Sequence, residues 1–287
     1  MFNVSYFFID DVPVELLDAL GEAALTKLFC LVIKMYERDE VPSAFQKNII
    51  IPIPKKPGAD KCEQYRTISL VSHASKILTK IVYRRIEKLI GWQLSEDQFG
   101  FRRDVGTREA ILTLRLILED RIKKNSPTVL AFVDLEKAFD NVNWNKLFEI
   151  PKATGIKYKE RRVIYKLYKN QTAMIRIDDE EREAAVHKGV RQGCSLSPLL
   201  FNLYIEQAML EIKEEYGKGV MVQGEEIKTL RFADDIVILS ESGEDLEDML
   251  NGMEFVLKSN YGMSINKNKT MVMECSELRQ VKRVLSN

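Results

Sequence analysis

The sequence predicts an α+β fold, with α/β as its alternative, in which helices pack on one face of a small sheet. Two observations carry this. Stretches with apolar residues at helical spacing (14–36, 71–90, 107–124 and about 245–260) are interleaved with short apolar runs that read as strands (49–53, 127–135, "TAMIRID", 227–240 and "KTMVMEC"). The 287 residues, 45% of them hydrophobic, also supply enough apolar surface for one large domain or two joined subdomains.

The elements follow in chain order. Residues 14–36 place Leu16, Leu17, Leu20, Leu25, Leu28, Leu31, Val32 and Met35 at helical spacing, giving one amphipathic helix or two short ones broken near Gly21. In "NIIIPIPKKPG" the apolar run is a strand that Pro-Lys-Lys-Pro-Gly cannot continue as a central one, so Lys55 and Lys56 ride on a loop or edge. The helices over 71–90 and 107–124 each carry a basic outer face. Further on, "PTVLAFVDL" reads as strand, and in "GVRQGCSLSPLLFNLYIEQAMLEI" a Gly/Ser/Pro loop launches an apolar helix. No internal repeat or low-complexity segment is visible.

Composition narrows the function classes. Basic and acidic residues balance at 43 each, so no global positive field advertises a nucleic-acid partner, and any basic surface has to be local. The four cysteines, Cys30, Cys62, Cys194 and Cys275, form no CxxC pair, which argues against a zinc site or disulfide framework and suits reduced thiols inside a cell, nuclear or cytoplasmic. No apolar run reaches the ~18 residues of a bilayer span. The opening "MFNVSYFF" lacks a basic region and makes a poor signal peptide.

Charge placement is more informative. Asp134 ends the apolar run "LAFV", where a carboxylate is costly to desolvate without a partner. "TLRF" and "IVILS" flank Ala233-Asp234-Asp235, which puts these acids in the tight turn of a β-hairpin. Either feature alone reads as an ordinary turn, where Asp is common. Together they crowd three carboxylates on one sheet edge, and a bound divalent cation is the usual relief of that repulsion. Hard oxygen ligands favour Mg²⁺ or Mn²⁺, and two such ions ~4 Å apart serve in-line phosphoryl transfer.

Seven blocks then fall in order over about residues 10–275: "IPIPKKPG", "YRTISLVSHASKILTKIVYRRI", "LSEDQFGFR", "AFVDLEKAFD", "GVRQGCSLSPLLFNLYIE", "FADD" and "GMSINKNKT". In these the sequence resembles the reverse transcriptase domain of non-LTR (LINE-type) retrotransposons, relatives of group II intron and telomerase polymerases. The resemblance implies an α+β right-hand polymerase with fingers and a small antiparallel palm sheet, an RNA-directed DNA polymerase acting on RNA template, DNA primer and dNTPs with two Mg²⁺ or Mn²⁺ ions. It implies that Asp134, Asp234 and Asp235 form the metal site, joined by the carbonyl of Leu135. On the dNTP side it implies Lys55 or Lys56, Arg66, Gln192, Gly193, Phe139 as a sugar gate, and Lys269 as general acid or charge partner. On the template side it implies Gln98, Phe99, Gly100, Arg102 and Arg191. Thr67 stands where the family more often has Pro.

Read from the residues alone, Phe139 is equally a core aromatic, "RQGCSLSP" an ordinary loop before a capped helix, and the lysines solvated surface groups. Along the chain the expectation is fingers and N-terminal helices with part of the palm over 1–126, palm over 127–276, and a tail over 277–287 with neither thumb nor endonuclease. Two functions remain: a reverse transcriptase domain, weak or dependent on other parts, or a non-catalytic remnant or co-opted module that binds nucleic acid or protein. A two-metal nuclease would leave the dNTP-side residues without purpose.

Overall fold

In the structure, a computed structural model, residues 12–38, 40–177, 180–275 and 283–284 are described. The order is α1 (Val14–Asp18), α2 (Glu22–Arg38), β1 (Lys47–Pro54), β2 (Tyr65–Leu70), α3 (His73–Gly91), α4 (Thr107–Lys123), β3 (Thr128–Asp134), α5 (Trp144–Ala153), α6 (Tyr158–Tyr168), β4 (Thr172–Ile177) and β5 (Glu180–Ala185). There follow α7 (Ser197–Glu215), β6 (Val220–Val222), β7 (Glu225–Ile227), β8 (Thr229–Phe232), β9 (Asp235–Ser240), α8 (Gly243–Tyr261), β10 (Met271–Cys275) and β11 (Arg283–Val284). The chain divides into two compact units, each assembled from two stretches: residues 1–90 with 147–200, and 91–146 with 201–287. Both units draw residues from either side of position 126/127, where motif order places the fingers–palm division.

The first unit holds a four-stranded sheet in the order β2-β1-β4-β5. β1 pairs antiparallel with β2 over Ile49–Pro54 and parallel with β4 over Lys47–Ile50, so Pro52 and Pro54, which lack an N–H, lie beyond the two-sided part of the strand. β5, "EEREAA", is exposed throughout and has no alternation from which a strand could be read; its backbone pairing to β4 makes it one. Helices α2, α3 and α6 bury Val32 and Met35, Leu78, Val82 and Ile86, and Val163, Ile164 and Leu167, respectively. The Tyr36 hydroxyl donates to buried Glu160 at 2.5 Å; burial, then this carboxylate, raises the phenol above its ordinary range.

The second unit holds the expected small antiparallel sheet, β11-β10-β3-β9-β8. Alternation gives it two unlike faces. Ala131, Val133, Ile236 and Ile238 are buried on one. Leu130, Leu230 and Leu239 on the other form a cluster with Ile117 of α4 and Val220 of β6. α8 packs on β3 and β9 and contributes nothing to that cluster, so it covers the first face. Its start is fixed by Ser242, whose hydroxyl accepts the Asp245 N–H, and its end by Gly262 at φ +64°, a conformation glycine adopts without strain. On the second face the register continues from the leucines through Phe132 and Val237 to Asp134 and Asp235, so the acids sit at the open end of a face whose other end is closed by α4. Residues 277–287, expected as a tail, include β11, which adds a strand beside β10.

Candidate active site

Asp134 is the last residue of β3 and Asp235 the first of β9, and the two are directly opposed in the register. Opposed residues of an antiparallel pair have Cβ atoms about 5 Å apart. Asp234 sits beside them in the two-residue turn joining β8 to β9. Burial raises the Asp234 carboxyl above its ordinary range, and the charges of Asp235 and Asp134 raise it further, so the three acids act on one another. The Lys269 ammonium lies 3.2 Å from Asp134 Oδ2, a cation already drawn to the group. Leu135 is buried and bridges to Ile265 through hydrogen bonds that use the Asp134 carbonyl and the Glu136 N–H, leaving the Leu135 carbonyl out of that ladder. Among the described residues no three Asp, Glu, His or Cys side chains converge closely enough to hold a metal ion as they stand. The donor set, three carboxylates carrying excess negative charge, is chemically suited to a hard divalent cation.

The turn that carries Asp234 is held from outside the hairpin. Ala233 lies at φ +60°, in a region that costs a residue with a Cβ ~1–2 kcal/mol, and is 3% exposed. Its N–H donates to Gln98 Oε1 at 3.0 Å, and the same oxygen accepts the Gly100 N–H at 2.8 Å. Gln98 is wholly buried. The Gly100 carbonyl accepts from buried Asn202 of α7 at 2.7 Å. Just upstream, Phe99 N–H donates to the Arg231 carbonyl at 2.8 Å and Arg231 N–H to the Asp97 carbonyl at 2.7 Å, so residues 97–99 run beside β8 as a short parallel addition. The Arg231 side chain, fully buried, bridges Asp97 at 2.7 Å and Glu206 at 2.9 Å. Thr229 and Lys213 also donate to Asp97, and Ser95 to Glu206. A Cβ on Gly100 would meet the Ala233 nitrogen at 2.3 Å and the Phe232 carbonyl carbon at 2.8 Å, both backbone atoms that cannot swing aside. Gly100→Ala is therefore expected to cost ~1–3 kcal/mol, in the range of overpacked cores, read as a lowered midpoint in urea.

Phe139 stands on the single helical turn Ala138–Asn141 that follows Asp134, half buried. Its ring stacks on buried Phe201 at 4.5 Å and 13°, and meets Phe101 edge-on at 6.2 Å. Such contacts fix the plane of the ring rather than hide it. The ring is thus packed on the core and left partly exposed.

The remaining expected residues divide clearly. Lys55 and Lys56 are exposed on the turn between β1 and β2, and Arg66 is exposed on β2 opposite Ile53, all within the first unit. Gln192 and Gly193 also belong to that unit: the Gln192 carbonyl accepts the Ser69 N–H, and Gly193, at φ +107°, approaches the Ser69 carbonyl so closely that a Cβ would lie 3.0 Å from it. Arg191, expected on the template side, lies inside the first unit. It is 3% exposed, and its guanidinium donates to the carbonyls of Phe45 and Leu167 at 2.8 and 2.6 Å, stitching loop to helix. Gln98 and Gly100, expected on the template side, support the turn, and Phe99 packs on the leucine cluster. Arg102 folds back on the carbonyls of Ser95 and Gln98. Sequence reasoning missed Asn202 and the Arg231 network, although an arginine inside the apolar run "TLRF" was a visible anomaly.

No helix among the described residues is long and apolar enough to cross a membrane. Residues 53–282 match the family described as reverse transcriptase (RNA-dependent DNA polymerase). The retrovirus-related Pol polyprotein of the type-1 retrotransposable element R2 of Popillia japonica is 26% identical over 82% of this chain and 33% of its own length. The RNA-directed DNA polymerase from mobile element jockey of Drosophila melanogaster is 25% identical over 78% of this chain and 24% of its own length. Telomerase from Candida tropicalis, solved in complex with a fragment of telomeric RNA, superposes with a TM-score of 0.60 over 92% of this chain and 49% of its own, at 18% identity. The chain thus spans about a fifth to a third of the length of the curated relatives it matches.

Proposed function

Because the chain belongs to the reverse transcriptase (RNA-dependent DNA polymerase) family, we propose that it extends a DNA primer on an RNA template by transferring nucleotides from dNTPs. The observation that carries this is the register pair Asp134 and Asp235, with Asp234 in the adjoining turn, at the open end of the antiparallel sheet. Asp134, Asp234 and Asp235, with the Leu135 carbonyl, would hold two divalent ions. When bound, such ions lower the pKa of the primer 3′-hydroxyl and neutralise the charge of the triphosphate and its leaving group.

The chain's own residues do the rest by position and charge. Lys269 pairs with Asp134 and would contribute positive charge beside the phosphates. Lys55, Lys56 and Arg66 bring cations suited to a triphosphate, the arginine with a two-pronged grip. Gln192 and Gly193 present backbone on a loop that glycine lets come close. Phe139, its plane fixed by Phe201 and Phe101, packs beneath the sugar and leaves no room for a 2′-hydroxyl.

The test is primer extension by the purified chain on a primed RNA template with dNTPs and Mg²⁺ or Mn²⁺ at low salt, where phosphate contacts are strongest. Extension under either metal is the expected outcome; none under both would sink the reading. Phe139→Val is expected to weaken discrimination against NTPs by about ten- to hundredfold, the worth of a steric contact of 1–3 kcal/mol. Unchanged discrimination in competition between dNTP and NTP would return Phe139 to the core.

A further inference from the structure

We propose that Gln98 is a positioning residue for the metal-binding turn: its buried amide fixes the backbone immediately before Asp234 and so sets the affinity of the aspartates for divalent cations. The inference rests on the polymerase reading for what the aspartates do, and on geometry for how they are held. One amide oxygen joins two backbone N–H groups 2 and 135 residues away along the chain, Gly100 at 2.8 Å and Ala233 at 3.0 Å. The residue it grips, Ala233, is buried in a left-handed conformation that its side chain disfavours, so the turn needs an outside constraint. Without the acceptor, the Ala233 N–H would be buried and unsatisfied, and the turn would relax toward a geometry that pairs it. The approach is possible only because Gly100 has no Cβ, and Gly100 is itself anchored by the Asn202 amide through its carbonyl at 2.7 Å. Groups that hydrogen-bond a metal ligand typically govern affinity by ten- to hundredfold, and Gln98 acts one residue before Asp234 through the backbone of Ala233.

Three measurements test it. Gln98→Met keeps the volume and removes the acceptor; its Mn²⁺ dissociation constant, read from the EPR signal of free Mn²⁺, is expected to rise by about ten- to hundredfold. In primer extension the metal concentration at half-maximal rate should rise with it, while KM for dNTP changes little. Should Gln98→Met fail to fold, hydrogen exchange on the wild-type chain still decides, because the Ala233 amide should be protected as strongly as the centre of β9. Mn²⁺ affinity equal to wild type in folded Gln98→Met, or a rapidly exchanging Ala233 amide, overturns the proposal. Loss of RNA-template affinity at unchanged Mn²⁺ affinity also overturns it, in favour of a template role. A wild-type chain that binds no Mn²⁺ abolished by Asp234→Ala overturns the metal-site reading together with the proposal, whereas failure of Gln98→Met alone to shift affinity leaves the metal site standing.

Discussion

Replacing Asp234 with alanine is expected to lower primer extension by about a thousandfold or more while leaving the fold intact. The proposed metal site would supply several kcal/mol of transition-state charge stabilisation, and about 4 kcal/mol corresponds to a factor of a thousand in rate. The structural cost should be nil or negative. Burial and the neighbouring Asp235 and Asp134 all disfavour the charged form of Asp234 in the folded chain, so removing it relieves strain that unfolding would otherwise release. The metal-free Asp234→Ala protein should accordingly melt no lower than wild type, the pattern of a group kept for activity at the expense of stability. Extension that survives the substitution means the site is elsewhere; a large fall in melting temperature means Asp234 is a structural residue.

Arg231→Met is expected to have the largest effect on stability, about 3–5 kcal/mol at neutral pH, because it leaves Asp97 and Glu206 buried without their shared cation. Urea unfolding at several pH values checks both size and cause. Burial alone would raise the Asp97 carboxyl, but Arg231, then Lys213 and the Thr229 hydroxyl, outweigh it and hold the group below its ordinary range. A carboxyl depressed on folding binds fewer protons in the native than in the unfolded state. Its contribution is therefore complete above the ordinary Asp range, near pH 4, and is lost as pH falls through the lower folded value. The gap between wild type and Arg231→Met should narrow on acidification below about pH 4. A gap that stays constant would assign the loss to packing rather than charge.

Much of this was legible in the sequence because it depends on short-range pattern. Short apolar runs marked β3, β8 and β9, the Gly/Pro/Ser breakers marked the end of β1 and the start of α7, and the isolated acids marked Asp134, Asp234 and Asp235 as a set. What stayed hidden depends on burial set by distant chain. The family resemblance lays "QFG" against template, and nothing in those three residues foretells that the Gln98 amide grips Ala233, 135 residues away. The resemblance places Arg191 at phosphate, and its carbonyl partners Phe45 and Leu167 come from chain 146 and 24 residues away. β5 carries no apolar period at all, since an edge strand held by backbone bonds needs none. The interleaved units were invisible for a related reason: motif order says nothing about which stretches share a core.

The missing Cβ at Gly100 has an evolutionary consequence. Any side chain there must push the Ala233 backbone aside, and any loss of the Gln98 acceptor must free the Ala233 amide. Positions 98, 100 and 233 are thus energetically coupled, and substitutions that each lineage could not accept singly become acceptable only in combination. Natural variants of this chain should change the three sites together or not at all, so that a double variant at 100 and 233 is less harmful than the sum of its parts.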